Sequence, residues 1–476
     1  MKLKDILIEY KGEYENFEIG GFTSDSRAVK KGDVFVCISG PVNDGHNYAK
    51  DAVKKGAALV IAERSVDLDN EIIVKDSTEV FAKICSLHFG EPQKKIKLLG
   101  VTGTNGKTSV TYMLKSILES VGKKVGIIGT IQNMIGNEVI ETQNTTPGIY
   151  DMYRLLRLMA DAGCEFCIAE VSSHALDQNR VAGLEFEVGM FTNLSQDHLD
   201  YHKTMEKYLE AKKKLFKISK IAVLNFDDTA YGEIVKDIET DYLSYSQLSD
   251  EASYSAKNTV FSANSTAFEF VGYETINRVK LNIGGGFTVY NAMCALVAAI
   301  SVGVPIEKAV QGLNEIKTVK GRCETVETDL DYTIVIDYAH TPDGLENILK
   351  TFKDCNKNRL TVLFGCGGDR DKSKRAIMGE IAGLYADNVI VTSDNPRSEN
   401  PMSIIEDIVV GVQKTKTPYS VIEDRVEAIK FAMKNAQKDD IIVLAGKGHE
   451  TYQILADKKI DLDERKVIKE ILSKKD

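Results

Sequence analysis

Apolar positions along the chain come in short blocks, and the spacing of the blocks changes twice. Up to residue 95 they are brief, at 33–38, 57–62 and 72–74, with polar turns and helix-like stretches between them. Val and Ile recur in these runs, which predicts the strands of a small α/β domain. From Ile96 the rhythm lengthens: an apolar strand carried by Ile96, Leu98, Leu99 and Val101, a Gly-rich turn, then apolar residues at 110, 113, 114, 117, 118 and 121. The last set has the repeat of an amphipathic helix, and Gly122 supplies its stop. Buried strands are expected again at 125–128, 166–169, 188–192 and 221–224. Strands alternating with helices predict a largely parallel sheet. A second reset near 319–322 opens a third α/β stretch, with strands at 333–336, 360–364, 388–391 and 441–444. The pattern therefore divides the chain into 1–95, 96–318 and 319–476.

Composition removes whole classes of protein. A chain of 476 residues, 43% of them hydrophobic, is long enough for about three cores. With 27% charged residues and 8 Pro, it is neither disordered nor low-complexity. The longest apolar run, 292–300, falls well short of the roughly 20 residues that span a bilayer. Lys2, Lys4, Asp5 and Glu9 interrupt the N-terminus, so no signal-peptide core is present. A cytoplasmic protein without a membrane partner is expected. Of 8 cysteines the one tight pair is Cys164 and Cys167, which fits core thiols better than a zinc site. Sixty basic residues against 70 acidic ones leave a net charge of -10, which opposes nucleic-acid binding. An anionic ligand must then be met by a local cluster of Lys, Arg or a metal.

One motif supplies such a cluster. Gly103-Thr104-Asn105-Gly106-Lys107-Thr108-Ser109 lies between the Ile96 strand and the helix beginning near Thr108. Glycines let backbone N–H groups curl around phosphate, the helix N-terminus adds partial positive charge, Lys107 bridges phosphate oxygens, and the Thr108 hydroxyl suits magnesium. A strict P-loop carries its first glycine at 101, where Val101 stands; here it is displaced to 103. The strand–turn–helix context favours nucleotide binding over a plain turn.

Other polar residues gather where apolar strands end. Glu170 closes the Phe166 strand and precedes Ser172, His174, Gln178 and Arg180; a carboxylate in that position suits magnesium directly or through water. The turn from Asn193 to His202 holds Asp197, His198, Asp200 and His202, which could bind metal or simply hydrogen-bond the turn. Lys212 sits in a Lys-rich helix that reads equally as a solvated basic face. In the third stretch four loops follow four strands: Asp337-Tyr338-Ala339-His340-Thr341-Pro342; the 365–371 turn containing Asp369 and Arg370; Asp394-Asn395-Pro396-Arg397; and Gly446-Lys447-Gly448-His449-Glu450. Loops beyond the carboxyl ends of parallel strands share one rim. An Arg fork beside Asp, Asn and Glu suits a zwitterion bearing carboxylate and ammonium.

Taken together these residues resemble the Mur ligase family over essentially the whole chain. The resemblance implies an α/β protein of three domains. These are a small N-terminal UDP-binding domain at 1–95, a central P-loop parallel-sheet ATPase domain at 96–318, and a C-terminal Rossmann-like domain for the amino acid at 319–476. It implies a monomeric, ATP- and Mg2+-dependent ligase of peptidoglycan precursor synthesis. The small-molecule substrates would be UDP-MurNAc-L-Ala-D-Glu and meso-diaminopimelate, joined at the D-glutamate γ-carboxylate through an acyl phosphate.

Residue by residue, the segments 23–27 and 44–46 look like the family's uridine-binding segments, with Ser26 the position singled out. The 103–109 loop looks like the family's own phosphate loop, and Asn291, Arg322 and Asp337 fall where relatives touch ATP. Thr145, Thr146, Ser172, Gln178 and Arg180 match contacts to the UDP-MurNAc-dipeptide. Glu170 and His198, with Thr108, match positions associated with magnesium, and Lys212 falls where the family carries a carbamylated lysine. Asp394, Asn395, Pro396 and Arg397 resemble the tetrad associated with diaminopimelate, and Arg370, Gly446 and Glu450 match its remaining contacts. Lys107, Glu170, His198 and Lys212 are thus the implied catalytic set. An L-lysine-adding Mur ligase and a folylpolyglutamate synthetase-like ligase are the rival enzymes. A nucleotide-regulated binding protein without ligase activity is the rival from another class.

Overall fold

The β-branched runs form strands where the apolar pattern places them. Val125–Ile128, Leu360–Phe364 and Asn388–Val391 keep the expected bounds, while Phe166–Glu170, Thr333–Asp337 and Ile441–Ala445 each extend one residue further. In two cases that residue is a carboxylate, Glu170 or Asp337. A polar side chain ends the hydrophobic pattern but leaves the backbone ladder intact, as the pairing of Asp337 with Ala445 shows. The computed structural model describes every residue except 41–42, 143, 263, 356–357, 457 and 474–476, and the side chains of 354–357 are likewise not described.

Contacts group the chain into two units. The first comprises residues 1–100, 123–187 and 214–220. Its N-terminal sheet runs Phe22–Thr23, Val34–Val36, Leu59–Ala62, Glu71–Ile73, all parallel. In the same unit Val125–Ile128 pairs parallel with Phe166–Glu170 and antiparallel with Asn133–Ile135, which turns back as Glu138–Ile140. The core joins Val34, Val36 and Ile61 to Phe81 of the Ser77–His88 helix and to Leu155 and Met159 of the Ile149–Asp161 helix. Cys164 and Cys167 lie in this core, and burial pushes the Cys167 thiol up. They are core thiols, as their spacing suggests.

The second unit comprises 101–122, 188–213 and 221–476. Here the expected parallel strands are continued by antiparallel ones that the pattern did not predict. Ser219–Asn225, Asp241–Ser246 and Tyr254–Phe261 are parallel neighbours, but Thr266–Gly272 and Thr275–Leu281 continue as an antiparallel meander. These strands alternate buried and wet residues, so they show no solid apolar run, and their short connections can join only antiparallel strands. The apolar run 292–300 belongs to the helix Gly286–Ser301, which is buried nearly all round and packs with Lys107–Ser120. Among the described residues no helix is long and apolar enough to cross a membrane.

The last sheet of this unit has the order Glu324–Thr325, Thr333–Asp337, Ile441–Ala445, Leu360–Phe364, Asn388–Val391, Tyr419–Val421. All pairs but the first are parallel. The carboxyl ends of four strands therefore share one edge, and the four polar loops meet there as the pattern predicted.

Candidate active site

In the second unit the chain turns through 103–106 into the helix Lys107–Ser120. Gly106 takes φ 89°, where any L side chain is strained, and a Cβ there would collide with Asn291 Oδ1. No side chain caps this helix, so its first amides and dipole are presented as an anion site. Lys107 Nζ lies folded on the loop, donating to the carbonyls of Gly103 at 2.9 Å and Thr104 at 2.8 Å. Thr104 accepts from the amide of Ser195 at 3.0 Å, and the Asn105 amide donates to Asn193 Oδ1 at 2.9 Å. The loop is thus held by the 193–195 turn before any ligand arrives.

Lys212 is 1% exposed, which removes the solvated-face reading. Its Nζ donates to the Gly103 carbonyl at 2.7 Å and lies 4.2 Å from the Tyr208 ring centroid. Burial, reinforced by the charge of Lys107, pushes its pKa well below that of an ordinary lysine. Its neighbour Lys213 is also buried and pairs with Glu210 and Asp237. Helical spacing alone cannot tell which face of this Lys-rich helix points inward.

The 103–109 loop borders a cavity of about 430 Å³ lined by Asn105, Gly106, Ser109, Asn291, Arg322 and Asp337, among others. That size is within the usual range of ligand pockets, about 300–1,000 Å³. Arg322 Nη2 donates to Thr108 Oγ1 at 3.0 Å, its guanidinium stands 4.6 Å from the Tyr338 ring centroid, and among the described residues its buried Nε has no hydrogen-bond partner. Asp337 accepts from the amides of Cys323 at 2.6 Å and Ala339 at 2.7 Å, while burial raises its carboxyl above the usual range. The motif reading missed Phe287 and Tyr290 on the cavity wall and Asp343, which accepts from Asn105 Nδ2 at 2.8 Å. The two aromatics lie inside an apolar helical pattern that carries no chemical signal.

His198 begins the short helix Leu199–His202 with φ 54° and stands 3.4 Å from Asp197. Burial alone would raise Asp197, but the charges of His198, His340 and Lys374 outweigh it and bring the carboxyl to about 2. His340 and Lys374 come from the third stretch of sequence, so this cluster could not be read from the 193–202 turn alone.

On the rim of the last sheet, Asp394 and Asn395 are buried, and Arg397, with φ 52°, lays its Nη1 against the Gly368 carbonyl at 2.7 Å. Pro396 is buried between them, whereas Arg370 is exposed and donates to the adjacent Asp369 carbonyl. Gly446 takes φ 108°, and a Cβ there would meet Asp394 Oδ2 at 2.7 Å. Asn395 Nδ2 donates to Glu450 Oε2 at 2.9 Å. Carboxylates, an amide and a guanidinium therefore share one rim. Behind it Glu399 accepts from the Asp369 amide at 2.6 Å and from buried Arg375 at 2.8 Å, and Arg375 chiefly holds its carboxyl down to about 2. A depressed folded pKa contributes stability above the ordinary value of 4.5 and loses it as pH falls toward 2. Glu399→Gln should therefore cost about 1–3 kcal/mol at neutral pH. Calorimetry across pH should show that gap narrowing below pH 4.5.

The first unit assembles its own constellation around Glu170. Its Oε1 accepts from the Thr130 amide at 3.0 Å and its Oε2 from Thr130 Oγ1 at 2.9 Å, and that hydroxyl lies 3.0 Å from Thr145 Oγ1. Thr146 Oγ1 donates to the Glu170 carbonyl at 2.7 Å and accepts from the Ser172 amide at 3.0 Å. Arg180 donates through Nη2 to Gln178 Oε1 at 2.7 Å and through Nη1 to the Thr146 carbonyl at 2.9 Å. Six residues from scattered sequence positions, Glu170 among them, are thus joined, and Thr130 is an addition no motif marked. Ser26 is half-buried, its carbonyl accepting from Lys55 at 2.9 Å. Buried His46 accepts the Glu63 amide at Nε2, which leaves Nδ1 to donate to Asp44 at 2.6 Å.

Among the described residues no three His, Cys, Asp or Glu side chains gather as a ready metal site. Magnesium does not require one, because it keeps several waters and takes one or two carboxylates plus phosphate oxygens. The Thr108 hydroxyl in the second unit, and the Glu170 carboxylate that Thr130 orients in the first, are each an oxygen donor of that kind.

Comparison with known proteins identifies the family. The Mur ligase family catalytic-domain model matches residues 18–88, the Mur ligase middle-domain model 101–299, and the Mur ligase glutamate ligase domain model 321–448. Relatives named UDP-N-acetylmuramoyl-L-alanyl-D-glutamate–2,6-diaminopimelate ligase include those of Caldanaerobacter subterraneus, 47% identical over 99% of both chains, and Clostridium perfringens, 45% identical over 100% of both. A solved structure of an enzyme with that name superposes with TM-score 0.73 at 32% identity, covering 100% of this chain and 99% of its own. A Mycobacterium tuberculosis folylpolyglutamate synthase shares the fold at TM-score 0.63 and 16% identity, over 77% of this chain and 92% of its own. With three successive family domains and near-half identity over its full length, the chain belongs to the Mur ligase family.

Proposed function

We propose that this chain is the ATP-dependent ligase that joins meso-2,6-diaminopimelate to the D-glutamate γ-carboxylate of UDP-MurNAc-L-Ala-D-Glu in peptidoglycan precursor synthesis. The observation that carries this reading is one unit holding both a phosphate-loop cavity and a rim with Arg397 beside Asp394, Asn395 and Glu450. The names of relatives at 42–47% identity support it. A carboxylate resists amine attack because oxide is a prohibitive leaving group. Its oxygen therefore first attacks the γ-phosphorus of ATP, breaking the bond to ADP and giving an acyl phosphate. The amine then attacks the acyl carbon, phosphate leaves with the bonding pair, and the amine's proton passes to solvent.

The protein's part is positioning and charge neutralisation. Lys107 and the uncapped helix end receive the β- and γ-phosphates, and Arg322 turns from Thr108 toward them. Asn291 and Asp337 line the nucleotide pocket. Thr145, Thr146, Ser172, Gln178 and Arg180 hold the nucleotide-sugar peptide, with Ser26 at its uridine end. Magnesium would be held in the second unit by the Thr108 hydroxyl, with His198 and a carbamate of Lys212 in supporting roles, and would offset charge on the phosphate oxygens; Glu170 is the oxygen donor of that kind in the first unit. Lowered basicity suits Lys212 for that modification, since a neutral amine adds to carbon dioxide and an ammonium does not.

Diaminopimelate differs from L-lysine by a second carboxylate, which is what an Arg fork selects. Phosphate release in the presence of UDP-MurNAc-L-Ala-D-Glu should therefore depend on meso-diaminopimelate, with L-lysine and a folate substrate giving little. Equal release with L-lysine would refute the specificity. Arg397→Ala should raise the KM for diaminopimelate by roughly 30-fold while moving that for ATP less than about twofold. Steady-state titration of each substrate checks this.

A further inference from the structure

Lys447 is wholly buried, with 0% exposure. Burying an ammonium costs several kcal/mol unless it is paired, so such a lysine persists only where partners are fixed around it. Two left-handed glycines, Gly446 and Gly448, flank it and form the turn that carries it. Its Nζ donates to Asn395 Oδ1 at 2.8 Å and Glu450 Oε2 at 2.9 Å, and Asp394 Oδ1 lies 3.6 Å away.

These contacts determine what the neighbours can still offer. Asn395 Oδ1 is taken up by Lys447 and by the Ile454 amide at 2.9 Å, so its Nδ2 must point at Glu450. Glu450 Oε2 in turn receives both Lys447 and Asn395, which orients its other oxygen. The proposed function assigns the Arg397 guanidinium on the same rim to a ligand carboxylate; within the Asp394–Lys447–Glu450 trio two carboxylates meet one ammonium, leaving an excess of one negative charge. One ammonium group would neutralise that charge.

We infer that Lys447 is the positioning residue of the amino-acid site: it locks the Asn395 amide, aims Glu450, and trims the cluster to the charge that accepts a single ammonium. It acts through those side chains and does not itself touch the ligand. The inference rests on the amino-acid assignment proposed above.

The test is steady-state phosphate release by the full-length protein and its Lys447→Met variant, with thermal melting in saturating meso-diaminopimelate or ADP. Loss of the buried cation should raise the KM for diaminopimelate roughly 30-fold or more while that for ATP stays within about twofold. The melting shift caused by diaminopimelate should vanish and that caused by ADP should persist. Lys447→Gln, which keeps a donor for Asn395 without the charge, is measured alongside and carries the same expectation if the Met variant does not accumulate. An unchanged diaminopimelate KM, or parallel losses for both ligands, overturns the positioning role. Wild-type protein that releases no phosphate with diaminopimelate overturns the functional reading itself, and the inference with it.

Discussion

Lys107→Ala is expected to lower ligation by roughly three orders of magnitude while leaving the fold intact. Its Nζ donates to the Gly103 and Thr104 carbonyls, acceptors that water can satisfy when the side chain is removed. No comparable substitute exists in the transition state. Charge moving onto the β–γ bridging oxygen in a water-poor pocket needs a fixed cation, and the helix dipole supplies only about half a charge. Phosphate release and calorimetry measured side by side check the claim. Near-normal turnover in a well-folded variant would remove the 103–109 loop from the chemistry.

Lys212→Ala should be nearly as damaging, with kcat falling by at least about a hundredfold. The group at stake is a buried amine kept poorly basic by desolvation and by Lys107. Addition of carbon dioxide with loss of a proton would convert it to an anion in the same place. Lys212→Arg separates the two possibilities, because a guanidinium keeps the length and the cation but forms no carbamate. The Arg variant should be as inactive as the Ala variant, and an active Arg variant would leave Lys212 a packing role only. With labelled bicarbonate, a carbamate carbon signal should appear in wild-type protein by NMR and be lost in both variants.

Much of the site was legible because its residues sit in local motifs. A strand, a Gly-rich turn and an amphipathic helix announce the phosphate loop, since close backbone approach and the helix end are both local properties. The tetrad at 394–397 and the 446–450 loop stand out for the same reason, as polar clusters after apolar strands. Phe287 and Tyr290 gave no sign, because an aromatic on a buried helix looks like core until the opposite wall is known. The antiparallel meander at 254–281 was missed because its strands are wet on one face and alternate.

What the amino-acid sequence determined alone was the succession of strands and helices, the glycine-rich turn between a strand and a helix at 103–109, and the family, since each depends on neighbours in the chain or on residue identity. Tertiary structure decided which charges are buried and whom they meet. It turned Lys212 inward to Gly103, placed His340 and Lys374 near Asp197, and closed Asn395 and Glu450 around Lys447. Desolvation and pairing depend on distances between segments far apart in sequence, and those distances exist only once the chain has packed.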